Sequence, residues 1–342
     1  MKATKPQNPK ISVIMPTLNS QRTLRLCLSS IANQKYSGEV EIIVADGGST
    51  DETLKIAKEF QAKIYKNILK TAEAGKAVGA KYATGGILAF IDSDNILPED
   101  DWFEKMIQPF KEDSSIVASE PLYFTYRKDD HWLTRYFALL GMGDPLSLFI
   151  GYYDRYSYIS NRWTDLDIKY KENKDYLVLS LDKVDLTIGA NGFLMKKDEL
   201  KKYPIKDYLF DIDVLKFLAK EKPIKVAKVK TGVVHLFSGN ISTFIRKQRR
   251  RVKDFLYFQS NGMRVQKIQD SIVFWGVLKF ALASVTIFPL IFQTLSGFLR
   301  KRDVALFFHP LACWLTLWTY GTESLKSWIT PIEQLDRKKW SQ

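Results

Sequence analysis

The chain has 342 residues, of which 46% are apolar, so it can bury a full hydrophobic core and is not a disordered protein. This length predicts one large domain with an appendage. The formal net charge of +13 indicates an anionic partner, which could be nucleic acid, a membrane surface or a phosphorylated substrate.

Neither cysteine is expected to form a disulfide or bind a metal. Cys27 falls in a predicted amphipathic helix and Cys313 in an apolar stretch. Residues 1–10 are short and polar and lack the apolar core of a secretion signal. We therefore expect the bulk of the chain to lie inside the cell, in a reducing compartment.

The first predicted elements are a strand, a helix and a second strand. Residues 10–16 form a short β-rich run that stops at proline, and residues 17–20 follow as a loop with helix-capping residues. Apolar residues then recur at helical spacing from Leu24 to Ala32, and residues 40–46 predict a strand that ends in an acid. This order indicates a βαβ unit.

The next predicted elements continue this alternation. Residues 47–53 form a glycine-rich turn with amides that could contact an anionic or sugar-like ligand, before a helix over 52–60. An edge strand is predicted at 62–65, and a helix closed by glycine at 73–85. The ends of four strands are therefore expected to border one crevice.

Residues 87–95 form an apolar run that ends in two carboxylates, Asp92 and Asp94, and it predicts a buried parallel strand. Ligands of open α/β sheets bind outside the carboxyl ends of the strands, and paired aspartates suit Mg²⁺ or Mn²⁺ with attached phosphates. The alternative is that both acids only initiate a turn and cap a helix that begins near Pro98.

Four motifs in this order resemble those of family 2 glycosyltransferases. They are Pro-Thr-Leu-Asn at 16–19, the run at 42–51, the segment 75–85 and Phe-Ile-Asp-Ser-Asp at 90–94. The resemblance covers residues 10–252 and implies an α/β GT-A nucleotide-sugar-binding fold, which is a Rossmann-like mixed sheet, and an inverting enzyme. Ser20, Gly47 and Asn95 depart from the usual pattern, in which acidic residues are common at these positions.

The resemblance also implies roles for individual residues around a nucleotide-sugar, usually a UDP-sugar. Thr17, Asn19 and Asp46 would surround the base and ribose, and Lys76 would approach the diphosphate. Asp94 would bind the divalent ion. The implied nucleotide-sugar site comprises Pro16, Thr17, Asn19, Asp46, Lys76, Asp92 and Ser93.

The second half of the resembling region contains candidates for the reaction itself. Residues 187–195 resemble a wall that closes over the donor sugar. Residues 208–219 resemble the start of an acidic helix, which implies Asp211 as the catalytic base and Asp213 as the alternative. Both acids could instead be ordinary charges at a helix N-terminus. His235 follows an apolar run and is either a further metal ligand, as the resemblance implies, or a structural histidine.

Two other stretches allow more than one interpretation. Residues 121–185 are rich in aromatic side chains and could form a second core layer, an acceptor groove or a surface that enters the membrane interface. Residues 244–252 carry a cationic cluster in which Gln248 and Arg251 resemble a Gln-x-x-Arg-Trp motif, with Val252 in place of the tryptophan. We expect contacts with a phosphate or the acceptor, but no processive polymerase; the alternative is a solvated or lipid-facing basic surface.

Residues 280–299 and 304–322 carry no formal charge, and each has about the length needed to cross a bilayer. A spanning hairpin would, however, place Arg300, Lys301 and Arg302 outside the cell, so re-entrant or interfacial helices explain the charges equally well. A buried helical hairpin of a soluble protein is the third possibility. The predicted organisation is a flexible N-terminus (1–9), a GT-A domain (10–260), a membrane-associated apolar helical hairpin (261–330) and a polar tail (331–342).

The function predicted from the sequence is a metal-dependent, inverting glycosyl transfer from a nucleotide-sugar to a lipid-linked or glycan acceptor. We expect it to act in cell-surface glycan or glycolipid biosynthesis, at the cytoplasmic face of the cell membrane and in contact with membrane lipids. A nucleotidyltransferase and a catalytically inactive, membrane-anchored binding protein are the alternatives. Nucleic-acid binding is not expected, because nothing beside the arginine cluster resembles a reading module.

Overall fold

The apolar runs of the N-terminal half lie side by side in one sheet. The computed structural model describes residues 8–153, 155–182, 188–189, 191–237, 239–262 and 270–330. The strands are β1 (Ile11–Thr17), β2 (Val40–Asp46), β3 (Lys63–Lys66), β4 (Ile87–Phe90), β5 (Asn95–Ile96), β6 (Ile116–Phe124), β7 (Tyr170–Glu172), β8 (Tyr176–Leu181), β9 (Phe193–Lys196) and β10 (Ile224–His235). The helices are α1 (Gln21–Ala32), α2 (Thr53–Glu59), α3 (Ala72–Tyr82), α4 (Trp102–Glu112), α5 (Trp132–Leu140), α6 (Ser147–Ile150), α7 (Lys197–Leu200), α8 (Asp211–Leu218), α9 (Ile241–Ser260), α10 (Asp270–Thr286), α11 (Phe288–Arg300) and α12 (His309–Ile329), with a 3-10 helix at Val304–Phe308.

The sheet is mixed, as predicted. Its strand order is β3-β2-β1-β4-β9-β6-β10-β8-β7, and the short β5 pairs with the end of β10. Strands β1 to β4 are parallel to their neighbours within this group, whereas β9 is antiparallel to both β4 and β6. The carboxyl ends of β1, β2 and β4 therefore meet at one edge of the sheet.

The predicted order of strands and helices is confirmed up to β4, with two corrections. The strand expected over 87–95 ends at Phe90, because the backbone then turns: the Asn95 N–H donates to the Asp92 carbonyl at 2.9 Å. Neither Asp92 nor Asp94 caps the following helix, since α4 begins only at Trp102, after Asp101.

The helix predicted to close on a glycine at 85 ends earlier, at Tyr82, with Ala83 in an extended conformation. Gly85 has a different task. A Cβ atom there would lie 2.6 Å from the Lys10 carbonyl oxygen and 2.8 Å from the Ser12 nitrogen, so only glycine lets the chain pass this close to β1.

The apolar run before His235 belongs to one long strand, β10, whose pairing with β6 shifts in register between Val229 and Gly232. The expected wall at 187–195 includes β9. Thr187 and Ala190, which belong to that prediction, lie outside the described residues.

Hydrophobic cores cover both faces of the sheet, and a third core lies beyond it. In this third core, Phe137 of α5 packs against Phe237 at 4.0 Å between ring centroids, beside Phe244 of α9 and Leu306 of the 3-10 helix. For α5, the interpretation of the aromatic stretch as a second core layer is therefore confirmed.

The C-terminal apolar stretch contains the helices α10, α11 and α12, and the first of its two predicted segments is broken. Within the stretch expected at 280–299, the chain breaks at Ile287, which has a φ of 64°, and the helices on either side meet at 92°. Among the described helices, none is by itself long and apolar enough to cross a membrane; the bent pair α10–α11 reaches the required length and composition only when both parts are taken together. Helix α12 packs against α9.

Candidate active site

The ends of β1 and β2 are tied together by Asp46. Thr17 and Asp46 are paired across the two strands, and the Thr17 hydroxyl donates to Asp46 Oδ1 at 2.9 Å. The other carboxylate oxygen accepts the N–H groups of Gly48 and Ser49, both at 2.8 Å. Gly48 has a φ of 94°, which glycine adopts without strain. Asp46 thus holds the glycine-rich turn in place at the edge of the sheet.

Asn19 joins this turn to the loop after β1. Its backbone has a φ of 50°, its side-chain oxygen accepts the Thr50 N–H at 2.9 Å, and its own N–H donates to the Ser49 hydroxyl at 2.8 Å. The neighbouring Ser20 accepts a hydrogen bond from Ser93 at 3.0 Å, which connects both loops to the Asp92–Asp94 segment. Of the other predicted donor-site residues, Pro16 lies against α3, where a Cβ on Gly75 would be 2.8 Å from the proline Cβ.

Asp94 and His235 lie together beside the loop after β4. The distance from Asp94 Oδ2 to His235 Nε2 is 3.5 Å, and the Leu236 N–H donates to the Asp94 carbonyl at 2.8 Å. Burial by itself would raise the pKa of Asp94, but the charge and hydrogen bond of His235 and the charge of Lys247 bring it down to about 2. The carboxylate is therefore ionised and ready to bind a cation.

These two side chains fit part of a metal coordination sphere. Ligand atoms bound to one ion at about 2.1 Å lie roughly 3 to 3.5 Å apart, depending on geometry. Among the residues that the structure describes, no three His, Cys, Asp or Glu side chains are grouped as a complete cage. A bound ion would take its remaining ligands from water or from a substrate. The His235 ring also packs against Phe124, at 5.6 Å between centroids, so its structural role is present as well.

Lys76 and Asp211 form a buried ion pair between α3 and α8. The Lys76 Nζ to Asp211 Oδ2 distance is 2.5 Å, and the two side chains are only 6% and 8% exposed. Burial would lower the pKa of Lys76, but the carboxylates of Asp211 and Asp92 raise it instead. Burial also raises the pKa of Asp92, with Asp94 and Asp211 acting in the same direction and Lys76 against them. The predicted acids Asp92, Asp94 and Asp211 therefore interact within one site, with Lys76 among them.

Asp213, the alternative base, lies in the same first turn of α8 and is fully buried. Its N–H donates to the Phe210 carbonyl at 2.9 Å. Asp211 retains slight exposure, at 6%. Accessibility thus favours Asp211 over Asp213 as the group that a substrate could reach.

The wall that includes Gly189 and Asn191 rests on a buried charge cluster that the sequence analysis missed. Glu120, Arg155 and Lys228 are all fully buried, with Glu120 carboxylate oxygens 2.8 Å from Arg155 Nη1 and 2.7 Å from Lys228 Nζ. Glu120 also accepts the Gly189 N–H at 2.9 Å, and Arg155 donates to the Asn191 carbonyl at 2.9 Å. The one sequence signal was an acid inside the apolar run of β6.

This wall contacts both halves of the site. The Asn191 side chain accepts from Asn95 at 3.1 Å, and the Asn95 side-chain oxygen accepts the Asp92 N–H at 3.1 Å. On the other side, a Cβ on Gly189, whose φ is 147°, would lie 2.8 Å from the Ile212 nitrogen and 3.0 Å from the Asp211 carbonyl carbon. The glycine therefore sets how closely the wall approaches Asp211.

Gln248 and Arg251 of α9, which are predicted to contact a phosphate or the acceptor, form hydrogen bonds within the protein. Gln248 is fully buried, and its side-chain oxygen accepts from Arg251 at 2.7 Å and lies 3.1 Å from the Tyr320 hydroxyl of α12. Arg251 also donates to the Gly143 carbonyl at 2.8 Å. The Tyr320 contact joins α9 to α12, and the Gly143 contact joins α9 to the loop after α5. A role with phosphate stays a prediction for Gln248 and Arg251.

Lys247, which the sequence analysis did not single out, lies nearer the acids. Its ammonium is 3.8 Å from the centroid of the Phe237 ring, two residues after His235. Burial lowers its pKa to about 8, the charge of Asp94 opposes this shift, and the arginines 246, 250 and 251 favour it. Lys247 is thus a cation of α9 that interacts with Asp94, one of the two candidate metal ligands.

Residues 12–172 match the family model described as glycosyl transferase family 2, just under half of the chain. The chain is 39% identical over 99 residues to a PGL/p-HBAD biosynthesis glycosyltransferase of Mycobacterium tuberculosis, a match that covers 27% of this chain and 38% of that protein. It is 29% identical over 142 residues to glycosyltransferase AglE of Haloferax volcanii (39% and 46% covered). It is 33% identical over 131 residues to the 4,4'-diaponeurosporenoate glycosyltransferase of Staphylococcus haemolyticus (35% and 34% covered).

The chain thus spans less than half the length of these curated relatives. Among solved structures, it is similar to the mannosyltransferase PcManGT from Pyrobaculum calidifontis in complex with GDP-Man and Mn²⁺, with a TM-score of 0.54. That match covers 94% of this chain and 88% of the other at 13% identity, and it shows a shared fold. Together these findings show that residues 12–172 are similar to glycosyl transferase family 2 and that the chain has a mixed α/β, GT-A-like fold.

Proposed function

We propose that this protein transfers a sugar from a nucleotide-sugar, most simply a UDP-sugar, to a lipid-linked or glycan acceptor, with inversion at the anomeric carbon. The observation that carries the proposal is the meeting of Asp92, Asp94, Lys76 and Asp211 at the strand ends, beside a pre-formed turn at Asp46. The family match of the N-terminal half favours sugar transfer over nucleotidyl transfer.

In this proposal the loops after β1 and β2 bind the nucleotide. Thr17, Asn19 and Asp46 are already fixed by hydrogen bonds to one another and to the glycine-rich turn. A binding surface that is ordered before the ligand arrives loses little conformational entropy on binding. Asp92 and Ser93 border the same loops through Ser20.

Asp94 and His235 would hold a divalent cation. A carboxylate suits Mg²⁺ or Mn²⁺, and the imidazole beside it favours the transition metal. Such an ion, when bound, stabilises the negative charge of the departing diphosphate. PcManGT, which shares the fold, is in complex with Mn²⁺. Lys247, on the same side of the site, would add a second positive charge near the diphosphate.

Asp211 would accept the proton of the acceptor hydroxyl as that oxygen attacks the anomeric carbon. The ammonium of Lys76 balances the negative charge of Asp211, because an unpaired carboxylate would be unfavourable in this buried site. The wall contacts α8 beside Asp211 through Gly189 and contacts the loop after β4 through Asn191, so it would keep both at a fixed spacing. Inversion requires the acceptor oxygen to attack from the face opposite the leaving group. Asp211 and the Asp92–Asp94 loop must therefore act from different sides of the sugar.

We further propose that the reaction takes place at the cytoplasmic face of the cell membrane, in glycolipid or cell-surface glycan biosynthesis. The exposed apolar side chains of α10 to α12 support contact with membrane lipids. A lipid-linked acceptor would be available to a site that is held at this surface.

The proposal is tested by release of nucleoside diphosphate from a panel of UDP- and GDP-sugars by detergent-solubilised protein, with Mn²⁺, Mg²⁺ or EDTA. We expect turnover that depends on the metal and that is lost in Asp94→Asn. The control, Asp100→Asn, changes an exposed acid after the same loop and should keep wild-type turnover. Asp211→Asn should retain donor binding by calorimetry and lose transfer.

Calorimetry is also informative if none of the donors in the panel releases nucleoside diphosphate. If no nucleotide-sugar binds to the protein with or without metal, glycosyl transfer at this site is excluded. If the donor binds and Asp211→Asn transfers sugar at the wild-type rate, the assignment of the base is wrong.

A further inference from the structure

The exposed apolar surface of this protein is concentrated in one segment. Of the 27 large apolar side chains that are exposed in the described residues, 21 lie between positions 272 and 329. The most exposed on α10 and α11 include Val285 (71%), Phe288 (73%), Phe292 (74%) and Leu299 (78%). A contiguous apolar surface of this kind marks an interaction site on a folded protein.

Both helices are fixed to the catalytic domain along their inner sides. On α10, a Cβ at Gly276 would lie 2.8 Å from the Ile150 side chain, and Phe280 packs edge-on against Phe149 at 5.2 Å. On α11, a Cβ at Gly297 would lie 3.2 Å from the Ile159 side chain, and Arg300 donates to the Ile159 carbonyl at 2.6 Å. Helices whose inner sides rest on the domain cannot also be surrounded by lipid.

Within the described residues, neither helix has by itself the length and composition of a membrane span. The described parts of α10 (17 residues) and α11 (13 residues) are about 26 and 20 Å long, against about 30 Å for the hydrocarbon core of a bilayer. They meet at 92°, so they cannot add their lengths along one axis. Two helices at a right angle can, however, both lie in the plane of a membrane surface.

The charges around this surface are complementary to anionic lipid. Lys279, Arg300 and Arg302 are exposed. The acids Asp303 and Glu323 of the same segment are buried, and each pairs with an arginine of the domain. Among the side chains that the structure describes in this segment, these cations are exposed at the border of an apolar surface and the acids are buried, a pattern typical of helices that lie in the headgroup region.

We propose that α10 and α11 lie in the plane of the membrane interface, with their outer sides in the acyl chains of one leaflet, and that neither crosses the bilayer. The loop 300–303 then stays on the same side of the membrane as the catalytic domain. This removes the conflict between the three cations of that loop and the charge bias of spanning proteins. The inference is independent of the reaction.

The first experiment measures binding of the full chain to vesicles of phosphatidylcholine and phosphatidylglycerol by flotation. The variant carries Phe288→Asp and Phe292→Asp, which should leave the fold intact because both rings are exposed and acids are tolerated in the first turns of a helix. The matched control carries Leu26→Asp and Ile68→Asp, two exposed apolar residues of the catalytic domain.

We expect the affinity of the variant for vesicles to fall about tenfold or more, because two buried phenyl groups are lost, and that of the control to stay within about twofold. Flotation of the variant at the wild-type level would overturn the proposal. A second outcome would also overturn the proposal: the wild-type protein does not bind vesicles but forms a dimer, and the variant does not dimerise. A second copy of the chain would then cover this surface.

The second experiment separates an in-plane pair from a spanning one. Arg302→Cys and Lys202→Cys, the latter on the catalytic domain, are expressed separately in bacteria and treated with a membrane-impermeant maleimide in sealed vesicles; the native Cys27 and Cys313 are buried. We expect the two sites to react alike, either both before or both after permeabilisation. Reaction of one before and the other only after detergent would show that the chain crosses the membrane between them.

Discussion

The ion pair between Lys76 and Asp211 gives the sharpest test of how the candidate site is built. The two groups are 2.5 Å apart, and their side chains are 6% and 8% exposed, so solvent screens them little. Lys76 also interacts with Asp92, whereas Asp211 has that same carboxylate as a like-charged neighbour. The two halves of the pair are therefore not equivalent.

Lys76→Met should be the more damaging change. It leaves two carboxylates in a buried site without their cation, and loss of one partner of such a pair costs about 3–5 kcal/mol of unfolding free energy. Asp211→Asn leaves Lys76 with Asp92 and a neutral amide, so we expect a loss nearer 1–3 kcal/mol. The double variant should lose less than the sum, because both charges leave together.

Denaturant unfolding of the four proteins, followed by tryptophan fluorescence in one detergent, measures these differences. Lys35→Met, which breaks an exposed pair with Asp100, serves as the control and should not change stability measurably. Equal losses for Lys76→Met and Asp211→Asn, or strict additivity in the double variant, would refute the idea that Lys76 serves both carboxylates.

Three further predictions concern residues that contact the site. Lys247→Met should weaken nucleoside diphosphate binding about tenfold at pH 7, because the ammonium is lost. In the wild type, binding should weaken only as the pH rises through about 8 and Lys247 loses its proton. Calorimetry with Mg²⁺ from pH 6.5 to 9 measures both effects, and wild-type binding that does not change with pH would contradict the prediction. Glu120→Gln removes the buried carboxylate that Arg155 and Lys228 share and should cost about 3–5 kcal/mol of unfolding free energy. A loss below about 1 kcal/mol would show that the cluster is not electrostatically coupled. Gly189→Ala should lower transfer more than donor binding, because its methyl group would press on α8 beside Asp211; unchanged turnover in the release assay would exclude this spacing role.

The part of the site that the sequence predicts well is the part that local patterns specify. Asp46 and Asp92 follow apolar runs directly, and strand ends of a parallel sheet share one edge whatever the remaining chain does. The same logic failed at Gly85, where a glycine after a helical pattern was interpreted as a cap. Its actual constraint is the backbone of β1, which is more than 70 residues away in the chain.

The remaining features depend on contacts that no local pattern encodes. Glu120 and Lys228 meet only because β6 and β10 are neighbours, and Lys247 faces Asp94 only because α9 packs behind Phe237. The break at Ile287 has a φ that a β-branched residue rarely adopts, so composition favoured one continuous segment there. Roles of Pro16, Gln248 and Arg251 toward a ligand stay predictions.

The strand order has a consequence for how this protein can be divided. Strand β9 lies between β4 and β6, and β10 supplies the other neighbour of β6, although both strands come after residue 190. A fragment that ended at residue 172 would leave the edges of β4 and β6 without their partners and would lack Asp211 and His235. The region that matches family 2 is thus a unit of sequence similarity, whereas the unit that folds must extend at least to the end of β10.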